Sequence, residues 1–285
     1  MRLCGRAPIG ALFLLAVLLP SLAGAGDVYR WTDADGEVHF GDRPPPHAER
    51  VADAAPREDA RLRAVEWVAD GDTLHLADGT KVRLIGLNAP EVAHRGDPAE
   101  PGGPQAQRFL RRLLADQRVR LSVGPEAQDQ YGRTLAHVTT ADGTDVNIQL
   151  LRRGHAHAAI HPPNTQRAAA YFAAEAQARA AGRGIWARPR YRLRAAADAG
   201  DLRNSFRRLR GRVAQVAVKR KYIYLNFEAD FQAYLRKAKA EAFARAGFAP
   251  EALRGQYLVV RGWVQLRDGT PAIRLRHPLQ IEGNP

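Results

Sequence analysis

Short alternating runs cornered by Asp-Gly narrow the folds open to this chain. AVEWV leads into DGD, TLHL follows, ADG turns again and KVRLIGL closes the series. Side chains alternating with period 2 between Asp-Gly corners make a meander of short strands. PQAQRFLRRLLADQ then sets Phe109, Leu110, Leu113 and Leu114 at helical spacing behind Pro104. RVRLSV and TLAHVTT alternate as strands on either side of the loop DQYGR. DVNIQLLRRG and TQRAAAYFAAEAQARAAGRG read as helices, the second started by Thr165 and ended by Gly182 or Gly184. Strands with interspersed helices predict a mainly β fold with α over residues 61–187, a small barrel with helices against it.

A second unit follows. GRVAQVAV and KYIYLNF alternate, QAYLRKAKAEAFARAGF reads as an amphipathic helix ended by Gly247 and Pro250, and QYLVVRGWVQLRDGTPAIRLRHPLQIE supplies two or three more strands. Residues 207–285 therefore predict another small barrel. Residues 188–206, opening with RPRYRLR, read as a basic linker.

The N-terminal end has a different character. MRLCGRAPIGALFLLAVLLPSLAGAG, residues 1–26, places two arginines before an apolar run and a small-residue pattern, the build of a cleavable secretory signal. The rest of the chain has no apolar run long enough to span a bilayer. The expectation is an exported protein, periplasmic or secreted. The one cysteine, Cys4, lies in that leader, so the mature chain has neither disulfides nor zinc-thiolate sites and depends on burial and hydrogen bonds. Residues 27–46 set VYRW and EVHF around a DADG turn ahead of a proline triplet, which predicts a hairpin too small to be stable alone. Its partner is not legible. Residues 47–60, rich in Pro, Ala and charge, read as a linker.

The net charge is +13, or +11 without Arg2 and Arg6 of the leader. Between Arg188 and Lys221 twelve Lys and Arg stand against Asp198 and Asp201, so one basic block carries most of the excess. Such a stripe attracts nucleic acid first and anionic lipid second, or is a solvated arginine-rich segment.

The chemistry gathers at strand ends. Asp72 sits at the DGD corner, Arg83 within KVRLIGL, and Asn88 and Glu91 at the turn that follows; a meander returning on itself can bring all four to one barrel end. Carboxylate and amide oxygens suit calcium or magnesium, arginines clamp phosphate oxygens, and a glutamate can take a proton from water. These are the parts of metal-assisted phosphodiester hydrolysis. Taken singly, Asp72 is a turn residue, Glu91 a loop cap and Arg83 a surface strand residue.

ADGDTLHL, RLIGLNAPE, DQYGRTLA and AEAQARAAGRGIW, in that order and at those distances, resemble the staphylococcal nuclease (thermonuclease) family over roughly residues 62–187. The resemblance implies a five-stranded OB-fold barrel with helices and calcium-dependent cleavage of DNA and RNA that leaves 3'-phosphate ends. It puts a metal carboxylate at Asp72, a metal-binding backbone carbonyl at Ala89, catalytic arginines at Arg83 and Arg133, a general base at Glu91 and a substrate-side tyrosine at Tyr131. The family's second metal carboxylate is Asn88 here. An amide keeps the oxygen and loses a full charge, worth about 4 kcal/mol between unit charges about 4 Å apart at an effective dielectric near 20, so metal affinity falls. GHAHAAIHPPNT stands where the best-known member carries tyrosines that pack on the nucleotide, so stacking must come from elsewhere or involve His157 or His161. His155, His157 and His161 would suit zinc only if they shared a face; hydrogen-bonded or solvated histidines are the default.

Two further stretches carry looser resemblances. Tyr29, Trp31, Asp33, Asp35, Gly36 and Asp42 match a small N-terminal module of exported bacterial proteins. GRVAQV, YLNF, LRGQYLVVRGWV and HPLQIE resemble an OB-like tail behind nuclease domains. Such barrels hold single strands with a cationic groove and aromatic faces. Tyr222, Tyr224, Phe227 and Trp263 are the candidates for stacking, each also suited to the barrel core, with Tyr222 and Tyr224 the best placed for an exposed face and Arg212, Lys219, Arg220 and Lys221 as the cationic side. The expectation is an exported calcium-assisted nuclease acting on DNA, RNA or both. The competing classes are a nucleic-acid or partner-binding protein with weakened catalysis, and an envelope interaction protein built around the hairpin.

Overall fold

The computed structural model of the protein describes residues 28–32, 38–41, 46, 49–51, 57–94 and 96–282. The leader and the DADG turn lie outside them. In chain order the strands and helices are β1 (Val28–Thr32), β2 (Val38–Gly41), β3 (Glu49–Val51), β4 (Arg57–Val68), β5 (Thr73–Leu76), β6 (Lys81–Leu84), β7 (Gly86–Asn88), α1 (Gly103–Leu113), β8 (Arg118–Gln128), β9 (Thr134–Thr140), α2 (Val146–Arg152), β10 (His157–Ala159), α3 (Ala168–Ala180), β11 (Leu193–Ala195), β12 (Ser205–Val218), β13 (Tyr222–Phe227), β14 (Gln232–Arg236), α4 (Ala240–Arg245), β15 (Tyr257–Arg267) and β16 (Thr270–Leu275).

Strands β4, β5, β6, β9 and β8 close a five-stranded barrel. Leu74, Leu76, Val82, Leu84, Leu121 and Val138 fill it from alternate positions. Helix α1 buries Ala106 and Leu110 and turns Arg111 and Arg112 outward in its last turn. The Asp145 carboxylate caps α2 by accepting from the Ile148 N–H at 2.8 Å. Helix α3 starts later than the sequence suggests, with Arg167 rather than Thr165 at its N-cap, because Thr165 closes a turn through its own carbonyl instead. Its end agrees with expectation: Gly182 takes φ +58° and the Arg183 N–H returns to the Ala178 carbonyl.

The second barrel is a ring of β12, β13, β14, β16 and β15 closed by β12 against β15, with β11 added at an edge. Leu209, Val213, Ile223, Leu225, Leu235 and Ile273 form its centre. Two expectations are corrected here. Gln232–Arg236, read as the start of a helix, is strand β14, and the helix is only Ala240–Arg245. Ala233 and Leu235 are buried while Gln232, Tyr234 and Arg236 face outward, so a period of 2 won locally over the helix-forming composition. The basic linker 188–206 is packed structure: Tyr191, Ala196 and Ala199 are buried and β11 pairs in parallel with β12. Likewise 47–60 is not a free linker, since β3 pairs with β1 and Arg57 already pairs with Val123 of the first barrel. Composition detects a lack of apolar residues and not the backbone pairing that orders them.

The two barrels meet over charge as well as apolar surface. Glu175 of α3 and Arg261 of β15 are 0% and 1% exposed and form an ion pair. Glu175 also accepts from the Ala158 N–H at 2.6 Å, and Arg261 donates to the Ala158 carbonyl at 3.3 Å. The Arg261 guanidinium lies 5.0 Å from the ring centres of both Phe172 and Phe206. Beside it Glu282 accepts from Arg208 at 2.5 Å and from Arg179 at 3.0 Å. Burial alone would raise the Glu282 pKa, but Arg208, Arg261 and Arg179 outweigh it and hold the carboxyl below its ordinary value. Trp186, Tyr191 and Phe206 pack next to this network. Arg261→Ala should destabilise the protein by about 3–5 kcal/mol in chemical denaturation, because Glu175 would stay buried without its main counter-charge; a loss below about 1 kcal/mol would contradict that reading.

Candidate active site

The DGD corner between β4 and β5 is built tightly. The Asp70 carboxylate accepts from the Asp72 N–H at 2.8 Å, which shapes the turn. A Cβ on Gly71 would sit 2.6 Å from both Ala89 Cβ and Ala106 Cβ, so only glycine lets this corner pack on the β7 turn and on α1. Asp72 is 3% exposed. Its Oδ2 accepts from the Ala89 N–H at 2.8 Å, and its Oδ1 accepts from the Thr73 hydroxyl at 3.2 Å and faces the Arg83 guanidinium in an ion pair.

Arg83 is the centre of the rim. The antiparallel register sets it opposite Thr73, and the β6–β9 register sets it beside Leu135. Its Nη2 donates to Asn88 Oδ1 at 2.8 Å. Burial pulls its pKa down to about 10, partly offset by Asp70, while Arg133 lowers it further; it stays charged at neutral pH. Asn88 Nδ2 donates to the Ala89 carbonyl at 3.1 Å. Three oxygens expected to face a cation are therefore engaged within the protein: Asp72 Oδ1 and Asn88 Oδ1 by Arg83, and the Ala89 carbonyl by the Asn88 amide. The Arg83 guanidinium thus neutralises the Asp72 carboxylate and binds the Asn88 amide oxygen.

Arg133 enters from the loop before β9. It donates from Nε to Asp129 at 2.7 Å and from Nη1 to the Thr73 hydroxyl at 3.4 Å. Tyr131 is 73% exposed, with the Arg133 guanidinium 5.5 Å from its ring centre. Glu91 lies exposed at the rim, and its pKa is raised, first by partial desolvation and then by Asp70. Its N–H donates to Glu100 at 3.2 Å, and Glu100 in turn accepts from Arg190 at 2.6 Å. A residue of the supposed basic linker thus braces the loop that carries Glu91.

Asp72, Arg83, Asn88, Ala89, Glu91 and Arg133 share one end of the first barrel. Asp70, Asp129 and the Glu100–Arg190 pair belong to the same rim and escaped sequence reasoning. Asp70 was legible in the DGD corner itself and Asp129 in its i, i+4 spacing to Arg133; nothing in the sequence joins Arg190 to Glu100. Among the described residues no three His, Cys, Asp or Glu side chains group to hold a metal ion. A cation at this rim would rely on amide and backbone oxygens besides Asp72 and Asp70, an all-oxygen set that fits a hard cation such as calcium.

The remaining candidates lie on the second barrel. Tyr222 and Tyr224 are half-buried on its outer face, and their rings are not free: Arg267 lies 4.5 Å from the Tyr222 centre and 4.4 Å from that of Tyr234, and it donates to the Tyr224 hydroxyl at 3.0 Å. Arg212 is exposed beside Glu228 at 3.8 Å. Lys219, Arg220 and Lys221 make the turn between β12 and β13.

A family model described as Staphylococcal nuclease homologue matches residues 81–188. The thermonuclease of Staphylococcus intermedius is 39% identical over 127 residues, covering 44% of this chain and 75% of that protein. The chain belongs to the staphylococcal nuclease family. The thermonuclease of Staphylococcus hyicus is 36% identical over 123 residues, 42% of this chain and 72% of its own length. The endonuclease YhcR of Bacillus subtilis is 35% identical over 134 residues, of whose length the match covers 11%. A model described as Domain of unknown function (DUF4124) matches residues 14–61. Neither family model reaches the second barrel.

In this staphylococcal nuclease family member the three histidines of GHAHAAIH do not form a metal trio. His155 stacks on Phe109 at 4.3 Å, and His157 is buried against Phe206 at 3.8 Å. His161 Nδ1 accepts from Arg276 at 3.4 Å. Burial, and then Arg261, holds the His157 pKa well below 6.5. Burial, and then Arg167, pushes His137 down to about 3. His137 Nε2 and His157 Nδ1 are buried with no partner, so a proton there would be an unpaired charge. The unfolded chain protonates both below about 6.5 while the native protein does not. Stability should therefore fall as pH drops from about 6.5 toward 4, each ring contributing a slope of up to about 1.4 kcal/mol per pH unit. Urea titrations giving a flat profile over that range would refute this.

Proposed function

We propose that the protein is an exported, divalent-metal-dependent nuclease that hydrolyses phosphodiester bonds of DNA, RNA or both. The observation that carries this reading is the single rim on which Asp72, Arg83 and Asn88 touch while Arg133 and Glu91 stand beside them. Glu91, exposed and with a raised pKa, takes a proton from the attacking water. Arg83 and Arg133 donate to the phosphate oxygens as charge grows on five-coordinate phosphorus. Arg83 must turn from Asp72 and Asn88 toward the phosphate to do so. Asp72, Asn88 and the Ala89 carbonyl would hold calcium, which supplies electrophilic pull on a phosphate oxygen. The nuclease relatives and the family model support this reading, and the second barrel adds a nucleic-acid-binding surface. Among the described residues no helix is long and apolar enough to cross a membrane; export rests on the leader.

Glu91→Ala and Arg133→Ala should each cut hydrolysis of single-stranded DNA by about 10²–10⁴-fold with the fold intact by circular dichroism. Unchanged activity in either removes the mechanism. The raised Glu91 pKa places the acidic limb of the rate profile above the ordinary glutamate range, because the base must be deprotonated to act.

A second reading, a binding protein with weakened catalysis, draws on the Arg83–Asn88 hydrogen bond in the place of a carboxylate. Asn88→Asp separates the two. In the enzyme reading it lowers the calcium concentration needed for half-maximal cleavage; cleavage by the aspartate variant alone would support the binding protein.

A further inference from the structure

We propose that the groove between the two barrels carries a single nucleic-acid strand away from the active rim and onto the outer face of the second barrel. This rests on the nuclease reading above. A cleft of about 370 Å³ opens between β10 and the β15–β16 ladder, a volume suited to one nucleotide-sized ligand. Asn88 lines it and is the register partner of His157 on β10. Through Asn88, which accepts from Arg83, the cleft adjoins the rim that holds Asp72 and Arg83. Its far wall is Trp263, Arg274 and Arg276, all from the second barrel. Trp263 is 43% exposed and lines the cleft together with the two arginines.

The strand registers extend this wall. Val264 pairs with Ile273, and the next residue on each strand, Trp263 and Arg274, lines the cleft. Arg274 pairs with Tyr234, and Tyr234 with Tyr224. Arg274, Tyr234 and Tyr224 thus cross three strands in one row, about 10 Å at the usual strand spacing, with Trp263 lining the same cleft as Arg274. Apart from Val259, Leu266, Thr270 and Ala272, the outward or exposed positions of β13 to β16 carry aromatic, amide or arginine side chains and no carboxylate. Arg261, on the same face of β15, is consumed by Glu175, and that contact seats the row against the first barrel.

The chemistry selects the ligand. Stacked aromatics alternating with arginines bind bases by their faces and phosphates by charge, without reading sequence. A narrow groove followed by a flat row suits an unpaired strand rather than a duplex. Arg267 already fills the space among the tyrosines, so Trp263 is the primary stacking residue and the tyrosines are secondary. The family's substrate tyrosine, Tyr131, lies in the loop between β8 and β9, so this track is additional to it.

Fluorescence anisotropy with labelled single-stranded DNA of about 4 and about 12 nucleotides, in chelator so that hydrolysis is off, tests the track. The full chain should bind the longer strand at least tenfold more tightly. Trp263→Ala should weaken that binding about tenfold, with Trp263→Phe retaining most of it, which separates stacking from folding. Arg274→Ala with Arg276→Ala should flatten the dependence of log affinity on log salt by about 1.4, near 0.7 per lost phosphate contact. With calcium, the ratio of kcat/KM on the long strand to that on a dinucleotide should fall about tenfold in the same variants. Wild-type affinity in both variants, or tighter binding of a duplex of equal length, overturns the track whatever the hydrolysis shows. A chain that cleaves nothing yet keeps the length-dependent, Trp263-dependent binding refutes the enzyme reading and leaves the track standing.

Discussion

The buried pair of Glu175 and Arg261 decides how the two halves of this protein meet. A charge that loses its water must regain equivalent partners, and here each ion finds them in the other and in the Ala158 backbone. Few placements of α3 against β15 satisfy all of those contacts together. Phe172 and Phe206 then close over the guanidinium, and Glu282, Arg179 and Arg208 extend the network to the end of the chain. Because the Ala158 backbone that Glu175 grips belongs to β10, its partner β7 and the Asn88 at the rim are held across one cleft from Trp263 and Arg274. The interface is thus part of the site's construction.

Charge balance also organises the rim itself. Asp72 is almost wholly buried and needs a counter-ion, which Arg83 supplies from the neighbouring strand. Asn88 joins that contact as an acceptor, where a carboxylate would add a second negative charge beside Asp70 and Glu91. The Arg83 guanidinium supplies the positive charge here, and the Asn88 amide donates to the Ala89 carbonyl. Around this centre sit paired supports: Asp129 holds Arg133, and Glu100 links Glu91 to Arg190. These supports fix how far Arg83 and Arg133 can move at the rim.

Both barrels were legible because period-2 alternation survives in a single sequence and Asp-Gly corners mark where strands turn. The rim was legible because its residues sit at strand ends joined by short turns, so Asp72, Arg83 and Asn88 had few ways to avoid one another. Gln232–Arg236 misled because QAYLR is rich in helix formers, while its pairing with β13 and β16 is nonlocal. Residues 188–206 misled for a related reason: abundant arginine suggested solvent, yet Arg190 pairs with Glu100, Arg207 donates to the Arg190 carbonyl, and Tyr191 and Phe206 are buried. Tyr222 and Tyr224 did emerge on the outer face, but no spacing rule could reveal that Arg267 occupies their rings from another strand.

The sequence by itself determined the strand and helix periodicity, the order of the two barrels, and the set of oxygen and guanidinium groups at one barrel end. These are local properties, written in spacing and turn chemistry. Tertiary structure alone decided that Arg83 satisfies Asp72 and Asn88 together, that Arg190 braces the Glu91 loop, and that Trp263 and Arg274 line one cleft with Asn88. Those relations join residues up to about two hundred positions apart, and they follow from burying charge and apolar surface at once, a condition that only the closed fold imposes.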